Sequence, residues 1–234
     1  MEKDAYVHNI FSAIARRYDF LNTLLSMRRD RSWRQFAVRI SEVESSSKVL
    51  DVCTGTGELA LAYADFIGDS TPVIGTDFCF EMLAVGKEKA DKREQGCGFV
   101  AIEADTLQLP FADHTFDIVS VGFGIRNVAD LELGIREMTR VAVKGGRVVI
   151  LEFAQPTAPA FRSLYSFYFK GILPFVGNLI SRNRDDAYGY LPKSVIEFPN
   201  CEQLKAIMEN CGLVDVRFCR KTFGIVAIHV GKKR

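Results

Sequence analysis

Residues 48–60 read KVLDVCTGTGELA, a short apolar run that leads directly into a glycine-rich loop. The run is typical of a buried strand, and Gly55, Gly57 and Ala60 match the G-x-G-x-x-G/A pattern of a nucleotide-binding loop. Glycines there allow a tight turn and let a ligand approach the N-terminus of the next helix closely. Asp77 ends the next predicted strand, 20 residues beyond Gly57. A carboxylate at that point can accept hydrogen bonds from both hydroxyls of a ribose.

Strands and helices alternate along much of the remaining chain. Predicted strands cover residues 48–53, 71–77, 98–105, 115–124, 147–153, 214–220 and 224–231, and predicted helices cover 80–94, 131–142 and 201–212. The glycines of residues 144–146 are expected to end the second of these helices. This order predicts an α/β fold with a doubly wound, mostly parallel, seven-stranded sheet that is closed by a terminal strand pair.

Two further segments flank or interrupt this pattern. Residues 5–40 have apolar positions at three- and four-residue steps, which predicts helix, and Asn22 and Ser26 indicate a break into two helices. We therefore expect an N-terminal helical cap over residues 1–44. Residues 154–200 are too rich in aromatic side chains for a linker, so we expect an inserted cover over the end of the sheet. A single domain, 1–234, would include both segments.

Charge and composition restrict the partners. The chain has 234 residues and a formal net charge of +1, too small for a dedicated RNA-binding protein, so we expect no nucleic-acid partner. Arginines crowd the N-terminal segment, either as a solvated helical face or as a site for an anionic partner such as a lipid surface. These arginines are Arg16, Arg17, Arg28, Arg29, Arg31, Arg34 and Arg39.

The cysteines and histidines predict neither disulfides nor a metal site. None of the six cysteines belongs to a Cys-x-x-Cys pair, and the first residues do not resemble a signal peptide, so we expect reduced thiols in a cytoplasmic protein. The three histidines lack the spacing of metal ligands, so no metal is expected. Charged residues, Gly and Pro interrupt the longest apolar stretch, 161–180, which argues against a membrane span.

The glycine loop alone fits a nicotinamide oxidoreductase nearly as well as an S-adenosylmethionine enzyme. Asp51 precedes the loop and Glu58 follows its second glycine. Acidic groups suit the cationic sulfonium of S-adenosylmethionine, whereas they would repel the phosphates of a dinucleotide. Asp105 lies at the end of the third predicted strand, where adenine would lie, and residues 107–111 can wall the ring. These features favour the methyl donor.

The stretch GFGIRN, residues 122–127, ends the fourth predicted strand. Its glycines let the backbone come close to a ligand, and Arg126 and Asn127 supply planar hydrogen-bond donors. We interpret the pair as a site for a developing oxyanion, with a structural salt bridge of Arg126 as the alternative. The sequence does not choose the general base among His8, Tyr18 and a water oriented by Arg126.

Several stretches resemble the ubiquinone/menaquinone C-methyltransferases, a group of class I methyltransferases with a Rossmann-like sheet. They include VLDVCTGTGELA, ADTLQLPFADHTFDIVSVGFGIRNV, RRYDFLNTLLS, YGYLPKSVIEFP and REMTRV, so the likeness covers nearly the whole chain. It implies S-adenosylmethionine as co-substrate and C-methylation of a prenylated quinol whose tail lies under the aromatic cover. The implied catalytic residues are Arg126, Asn127 and Tyr18, and the predicted donor site comprises Asp51, Gly55, Thr56, Gly57, Asp77, Phe78, Asp105, Thr106 and Gly122.

Alternative functions remain open at this point. They are a nicotinamide oxidoreductase, a methyltransferase for RNA, protein or another small molecule, and a non-catalytic module that holds S-adenosylmethionine or a lipid. Within the resemblance, the benzoquinol and naphthoquinol substrates, the length of the tail and a homodimer are also open. We expect a cytoplasmic protein with peripheral contact to the inner face of the membrane.

Overall fold

The computed structural model describes residues 2–93, 98–156 and 193–234. Their strands form one sheet in the order β3-β2-β1-β4-β5-β7-β6. The strands are β1 (Val49–Val52), β2 (Val73–Asp77), β3 (Phe99–Glu103), β4 (Phe116–Gly122), β5 (Ala142–Phe153), β6 (Leu213–Lys221) and β7 (Val226–Lys233). All neighbouring strands are parallel except β7, which is antiparallel to both β5 and β6. The expected doubly wound, mostly parallel, seven-stranded sheet is confirmed.

Helices alternate with the strands and cover the sheet. They are α1 (Glu2–Leu25), α2 (Arg29–Ile40), α3 (Glu58–Ile67), α4 (Phe80–Asp91), α5 (Leu131–Val141) and α6 (Cys201–Asn210). The break between α1 and α2 spans residues 26–28, and Arg28 there adopts a left-handed backbone conformation. The predicted pair of N-terminal helices is therefore confirmed. α1 packs on α4, and α2 packs on α3.

Two apolar layers hold the sheet between the helices. All four residues of β1 are buried, because a central parallel strand is covered on both faces. One core cluster joins the sheet to α2 and α3, and it includes Trp33 and Tyr63. The other joins the opposite face to α5 and α6, and it includes Met138 and Leu204. Burial of this apolar surface, at roughly 25 cal/mol per Å², is the main favourable contribution to folding.

The glycines of residues 144–146 lie inside a strand, so the prediction that they end a helix was wrong. α5 ends at Val141, and Ala142 already has an extended backbone at the start of β5. A Cβ atom on Gly146 would lie 2.9 Å from the carbonyl oxygen of Asp117, so close packing of β5 against β4 requires glycine there. The glycine signal therefore reflected strand packing and not a helix end.

The strand order places the functional end of the sheet. From β1 the chain builds β2 and β3 on one side, and it then crosses over to β4 on the other side of β1, so the winding direction reverses between β1 and β4. Ligands of doubly wound sheets bind at such a switch point, beyond the carboxyl ends of the strands. The glycine loop follows β1 and GFGIRN includes the end of β4, so this geometry brings both motifs to one place.

Most of the expected aromatic cover, 154–200, lies outside the described residues. Among the cysteines that the structure describes, Cys53, Cys79, Cys201, Cys211 and Cys219 are free thiols. In the described parts of the chain, no helix combines the length and the apolar character that crossing a bilayer requires.

Candidate functional site

A cavity of about 230 Å³ opens at the switch point between β1 and β4. Nine of the predicted site residues line it, namely Tyr18, Gly55, Thr56, Asp77, Phe78, Asp105, Thr106, Gly122 and Asn127. They come from the N-terminal helix and from the segments that follow four different strands. The fold therefore brings together most of the residues that were predicted separately.

The glycine loop and Asp77 form one hydrogen-bonded unit. Gly55 has φ +56°, and its backbone N–H donates to Asp77 Oδ2 at 2.8 Å. The backbone N–H of Cys79 donates to Asp77 Oδ1 at 2.9 Å. A carboxylate has about four lone-pair positions, so both oxygens can still accept ribose hydroxyls. Burial raises the pKa of Asp77, while these backbone hydrogen bonds oppose the rise.

Asp51 and Gly57 support the loop from beneath and do not line the cavity. Asp51 is 1% exposed, and its two oxygens accept hydroxyl hydrogen bonds from Thr54 and Ser120, each at 2.7 Å. Burial raises the pKa of Asp51 to about 6. Gly57, at φ +78°, begins α3 in a backbone conformation that other residues rarely adopt. The predicted contact of Asp51 and Gly57 with the methyl donor stays a prediction, and the acidic part of the cavity wall is formed by other residues.

The remaining donor-side residues fit S-adenosylmethionine. Asp77, Asp105 and Glu58 give the cavity wall an acidic character that suits a sulfonium cation. Phe78 and Leu107 add apolar surface on which an adenine ring can pack. Asp105 Oδ1 accepts the backbone N–H of Leu107 at 2.8 Å, which fixes the turn past β3.

The side chain of Thr106 faces the loop after β1. Thr106 is 4% exposed, and its Oγ1 lies 3.2 Å from Cys53 Sγ. Gly122 faces α3, and a Cβ atom on it would lie 3.1 Å from Leu59 Cδ2. Both residues therefore shape the floor of the cavity.

An ionic network fastens α1 to the glycine loop. Thr56 Oγ1 donates to Asp19 Oδ1 at 2.5 Å. Lys89 Nζ donates to Asp19 Oδ2 at 2.8 Å and to Glu58 Oε1 at 2.6 Å. These contacts join α1, the loop and α4 at the edge of the cavity. Part of the negative charge of Glu58 is therefore already paired within the protein.

On the other side of the cavity, Tyr18 and Asn127 form part of the wall, and Arg126 lies behind it. Arg126 Nη1 donates to Glu152 Oε1 at 2.9 Å and also to the carbonyl oxygen of Phe123. The two charged side chains are 5% and 1% exposed. Burial raises the pKa of Tyr18, and the positive charge of Arg126 opposes this rise. The salt bridge that was the alternative interpretation of Arg126 is present.

The histidines occupy different places. His229 is buried in β7, where its Nε2 lies 3.0 Å from the carbonyl oxygen of Cys201, and burial lowers its pKa to about 4. His114 lies at the surface, with Nδ1 3.0 Å from Lys233 Nζ. The ring of His8 lies 5.8 Å from that of Phe78, on the donor side. His229 and His114 therefore have partners of their own, and His8 as the general base stays a prediction.

One group of potential metal ligands occurs among the described residues. Atoms of His8, Cys79 and Glu81 lie within 4.8 Å of one another. Ser12 Oγ sits between them and donates to Glu81 Oε2 at 2.9 Å. Sequence spacing could not reveal this group because its members lie on α1 and at the start of α4. The absence of a metal cofactor stays a prediction.

Several cavity residues were not predicted. Phe11 and Arg34 come from α1 and α2, and Met82 comes from α4. A periodic helix pattern shows which face of a helix is apolar, but it does not show what that face contacts. The only signal for Phe11, Arg34 and Met82 was therefore their position on an apolar or arginine-rich helix. Glu152 was missed because it lies inside an apolar run that is typical of a buried strand.

Solved structures share this fold. A SAM-dependent methyltransferase from Thermotoga maritima superposes with a TM-score of 0.68 at 16% identity, covering 97% of this chain and 99% of that chain. The [4+2]-cyclase SpnF superposes with a TM-score of 0.64 at 17% identity, covering 88% of this chain and 82% of its own. Because a cyclase shares the architecture, these likenesses show the fold and not the reaction.

Sequence relatives are much closer. The chain is 45% identical over 233 residues to the ubiquinone/menaquinone biosynthesis C-methyltransferase UbiE of Citrifermentans bemidjiense, covering 99% of this chain and 98% of that protein. It is 40% identical over 234 residues to the demethylmenaquinone methyltransferase of Bacillus cytotoxicus, covering 99% and 97%. The profile of the ubiE/COQ5 methyltransferase family matches residues 1–233. The chain therefore belongs to the ubiE/COQ5 methyltransferase family, and it is a methyltransferase with S-adenosylmethionine as its co-substrate.

Proposed function

We propose that this enzyme methylates a ring carbon of a prenylated quinol in menaquinone or ubiquinone biosynthesis. The acceptor would be demethylmenaquinol, 2-methoxy-6-polyprenyl-1,4-benzoquinol or both. The observation that carries the proposal is that one cavity joins an acidic donor side, at Asp77 and Asp105, to a second side that contains Tyr18 and Asn127. The names of the relatives from Citrifermentans bemidjiense and Bacillus cytotoxicus agree with this acceptor class.

Residues of this chain would hold S-adenosylmethionine in the donor half of the cavity. Asp77 would bind the ribose hydroxyls, Asp105 and Phe78 would lie at the adenine, and Thr56 and Gly55 would contact the amino-acid part. S-adenosylmethionine supplies an electrophilic methyl group on a positively charged sulfur. No covalent intermediate with the protein is needed, because aligning the two reacting carbons contributes roughly 7–11 kcal/mol.

The acceptor half must make the ring carbon nucleophilic. An unperturbed phenol has a pKa of about 10, so only roughly one molecule in a thousand is ionised at pH 7, and recovering that factor requires about 4 kcal/mol. Arg126 would supply part of this by stabilising the phenolate, and Asn127 would orient the ring. The buried Nε of Arg126 has no hydrogen-bond partner among the described residues, which supports a role toward a ligand.

We also propose that the junction of α1 and α2 contacts the membrane that holds the lipid substrate. Phe20, Leu24 and Met27 are 63%, 48% and 77% exposed and form what we call the N-terminal apolar surface. The exposed residues Arg28 and Arg29 follow it directly in the chain. Apolar side chains beside cations are typical of peripheral attachment to anionic bilayers.

Mass spectrometry of each quinol lipid tests the proposed reaction. The protein is incubated with S-adenosylmethionine and one lipid under reducing conditions. We expect a gain of one methyl group, and the preferred ring would identify the pathway. A matched control is Arg136→Ala, which removes an exposed arginine of α5 that pairs with Glu132 at 3.4 Å and should keep full activity. Binding of S-adenosylmethionine without methylation of either lipid would contradict the proposed acceptor.

A further inference from the structure

The buried pair of Arg126 and Glu152 has one unused donor and one unused acceptor. Arg126 Nε and Glu152 Oε2 are both buried and lack hydrogen-bond partners among the described residues. The other oxygen, Glu152 Oε1, accepts from Arg126 Nη1 and from the backbone N–H of Phe153, at 2.9 and 2.8 Å. Buried polar atoms without partners are unfavourable, and more so when they are charged, so a ligand group that hydrogen-bonds to these atoms would be bound favourably.

A hydroxyl group has the matching chemistry, because it donates one hydrogen bond and accepts others. The pair also lies close to the cavity wall. Asn127, next to Arg126 in the chain, lines the cavity, and so does Cys53. The pKa of the Cys53 thiol is raised by burial, by Asp77 and, to a lesser degree, by Glu152, so Glu152 lies near this cavity residue. The β4–β5 register, which pairs Gly122 with Leu151, brings Glu152 to this end of the sheet.

We propose that Glu152 is the general base of the reaction and takes the proton from the hydroxyl of the quinol, directly or through one ordered water. This inference rests on the proposed function and supplies the base that the sequence did not identify. Arg126 Nε–H would donate to the same oxygen and stabilise it as the proton leaves. Glu152 thus has two roles, since its Oε1 holds Arg126 while its Oε2 accepts the proton.

The proton balance of this step closes within the reaction. The hydroxyl proton moves to Glu152 Oε2, and the ring carbon forms a bond to the methyl carbon while the methyl–sulfur bond breaks, leaving its electron pair on sulfur. The ring carbon then loses its own hydrogen as a proton to water, which restores the aromatic ring. Glu152 returns the first proton to the phenolate oxygen. One proton is released in each turnover.

The surroundings of Glu152 raise the pKa of its carboxyl group. Burial raises its pKa, whereas the positive charge of Arg126 and hydrogen bonds to its carboxylate oppose the rise. Among the described residues, titratable groups that interact with the pair include the thiol of Cys53, with Glu152, and the phenol of Tyr18, with Arg126. On β7, the residue paired with Glu152 is the uncharged Ala227. A base whose pKa lies nearer the working pH transfers protons more efficiently.

Glu152→Gln separates the base from a merely structural role. Glutamine keeps an acceptor for Arg126 and for the N–H of Phe153, but it cannot take a proton. We expect kcat to fall about 100-fold or more, because general bases contribute roughly 10²–10⁴-fold. The dissociation constant of S-adenosylmethionine, measured by calorimetry, should change less than about threefold, since Glu152 lies away from the donor side. The loss of kcat relative to wild type should shrink by about tenfold for each unit by which the pH rises toward the pKa of the phenol, because the quinol then ionises without a base.

A control and a second variant complete the test. Glu137→Gln removes a carboxylate of another Glu–Arg pair, with Arg140 on α5, and should leave kcat unchanged. If Glu152→Gln does not fold, Glu152→Asp is tested instead, because it keeps the negative charge. The acidic limb of its plot of kcat against pH should shift relative to that of the wild type. The inference would be overturned by an acidic limb that does not shift in Glu152→Asp, or by a loss of kcat in Glu152→Gln that is the same at every pH. Methylation of a quinol by the wild type would still uphold the proposed function in that case. A wild type that methylates no quinol would overturn both.

Discussion

The backbone, rather than another side chain, fixes the carboxylate of Asp77. Two N–H groups, from Gly55 and Cys79, hold it at the end of β2. The sequence predicted the glycine loop and the carboxylate, because each follows or ends a predicted strand, but it did not predict the hydrogen bond that joins them. The Arg126–Glu152 pair was not predictable as a unit, since its members approach only after β4 and β5 pair in register. Local sequence motifs therefore identify single residues of the site, whereas the pairing of distant strands decides which of those residues contact one another.

Replacing Asp77 by alanine should weaken donor binding. The variant loses a charged acceptor for the ribose hydroxyls, and hydrogen bonds to charged groups contribute roughly 1.5–3 kcal/mol, equivalent to a tenfold to hundredfold rise in Kd. Titration calorimetry with S-adenosylmethionine measures this rise. Asp113→Ala, at an exposed carboxylate paired with Arg140, serves as the control and should bind normally. Equal affinity in Asp77→Ala and wild type would remove Asp77 from the donor site.

Asp51→Asn should stabilise the protein at neutral pH. Burial raises the pKa of Asp51 from 3.8 to about 6, so its contribution to stability is present below pH 4 and is lost as pH rises through 6. The difference corresponds to about 3 kcal/mol at most. Asparagine stays neutral and keeps a polar partner for Thr54 and Ser120. Urea unfolding should show the variant more stable than wild type at pH 7.5, with the gap closing toward pH 4; a gap that widens in acid would contradict this assignment.

At the scale of elements, α1 depends on a few contacts at the cavity edge. Apolar packing of Ala15 against Cys79 and Met82 joins it to α4, and the Asp19–Lys89–Glu58 network adds a polar fastening. Periodicity predicted both N-terminal helices, but it could not show their partners because an amphipathic face fits many surfaces. The strand order of the sheet was likewise implied by the class of fold rather than by any single residue.

Lys89→Gln should loosen α1 without unfolding the protein. It removes both ion pairs and leaves the carboxylates of Asp19 and Glu58 close together, while partly exposed pairs contribute only about 1 kcal/mol or less each. Hydrogen exchange should therefore become faster in the amides of α1. Lys92→Gln, directly after the last residue of the same helix and paired with the exposed Glu88, is the matched control. Similar exchange in both variants would mean that the network does not fasten α1.

At the scale of the whole molecule, the helix α1 both lines the cavity, through Tyr18, and carries exposed apolar residues near its end. The sequence predicted the sheet, because seven strand-length runs alternate with helical patterns. It could not predict the exposure of Phe20 and Met27, because a helical pattern does not reveal which apolar residues remain uncovered once the helices pack. The same architecture serves a cyclase, so the reaction must be argued from the site.

The membrane proposal is tested by sedimentation with lipid vesicles. We expect the protein to bind vesicles that contain phosphatidylglycerol and to be released by salt, because screening weakens attraction between exposed charges. The double variant Phe20→Ser/Met27→Ser should bind several-fold less, since it loses apolar surface that enters the bilayer. Phe66→Ser, at a phenylalanine of α3 that is 56% exposed, is the control and should bind like wild type. If Phe20→Ser/Met27→Ser binds vesicles as well as Phe66→Ser does, the membrane contact lies elsewhere on the protein.

The most direct test of the central claim is the position of the transferred methyl group. The enzyme is incubated with demethylmenaquinol and S-adenosylmethionine that carries a carbon-13 methyl, and the isolated lipid is studied by NMR spectroscopy. We predict a labelled methyl bonded to a ring carbon, as expected if one cavity aligns the donor with an ionised quinol. A labelled methyl ether on a ring oxygen, or an unlabelled lipid while the enzyme binds S-adenosylmethionine, would contradict this account.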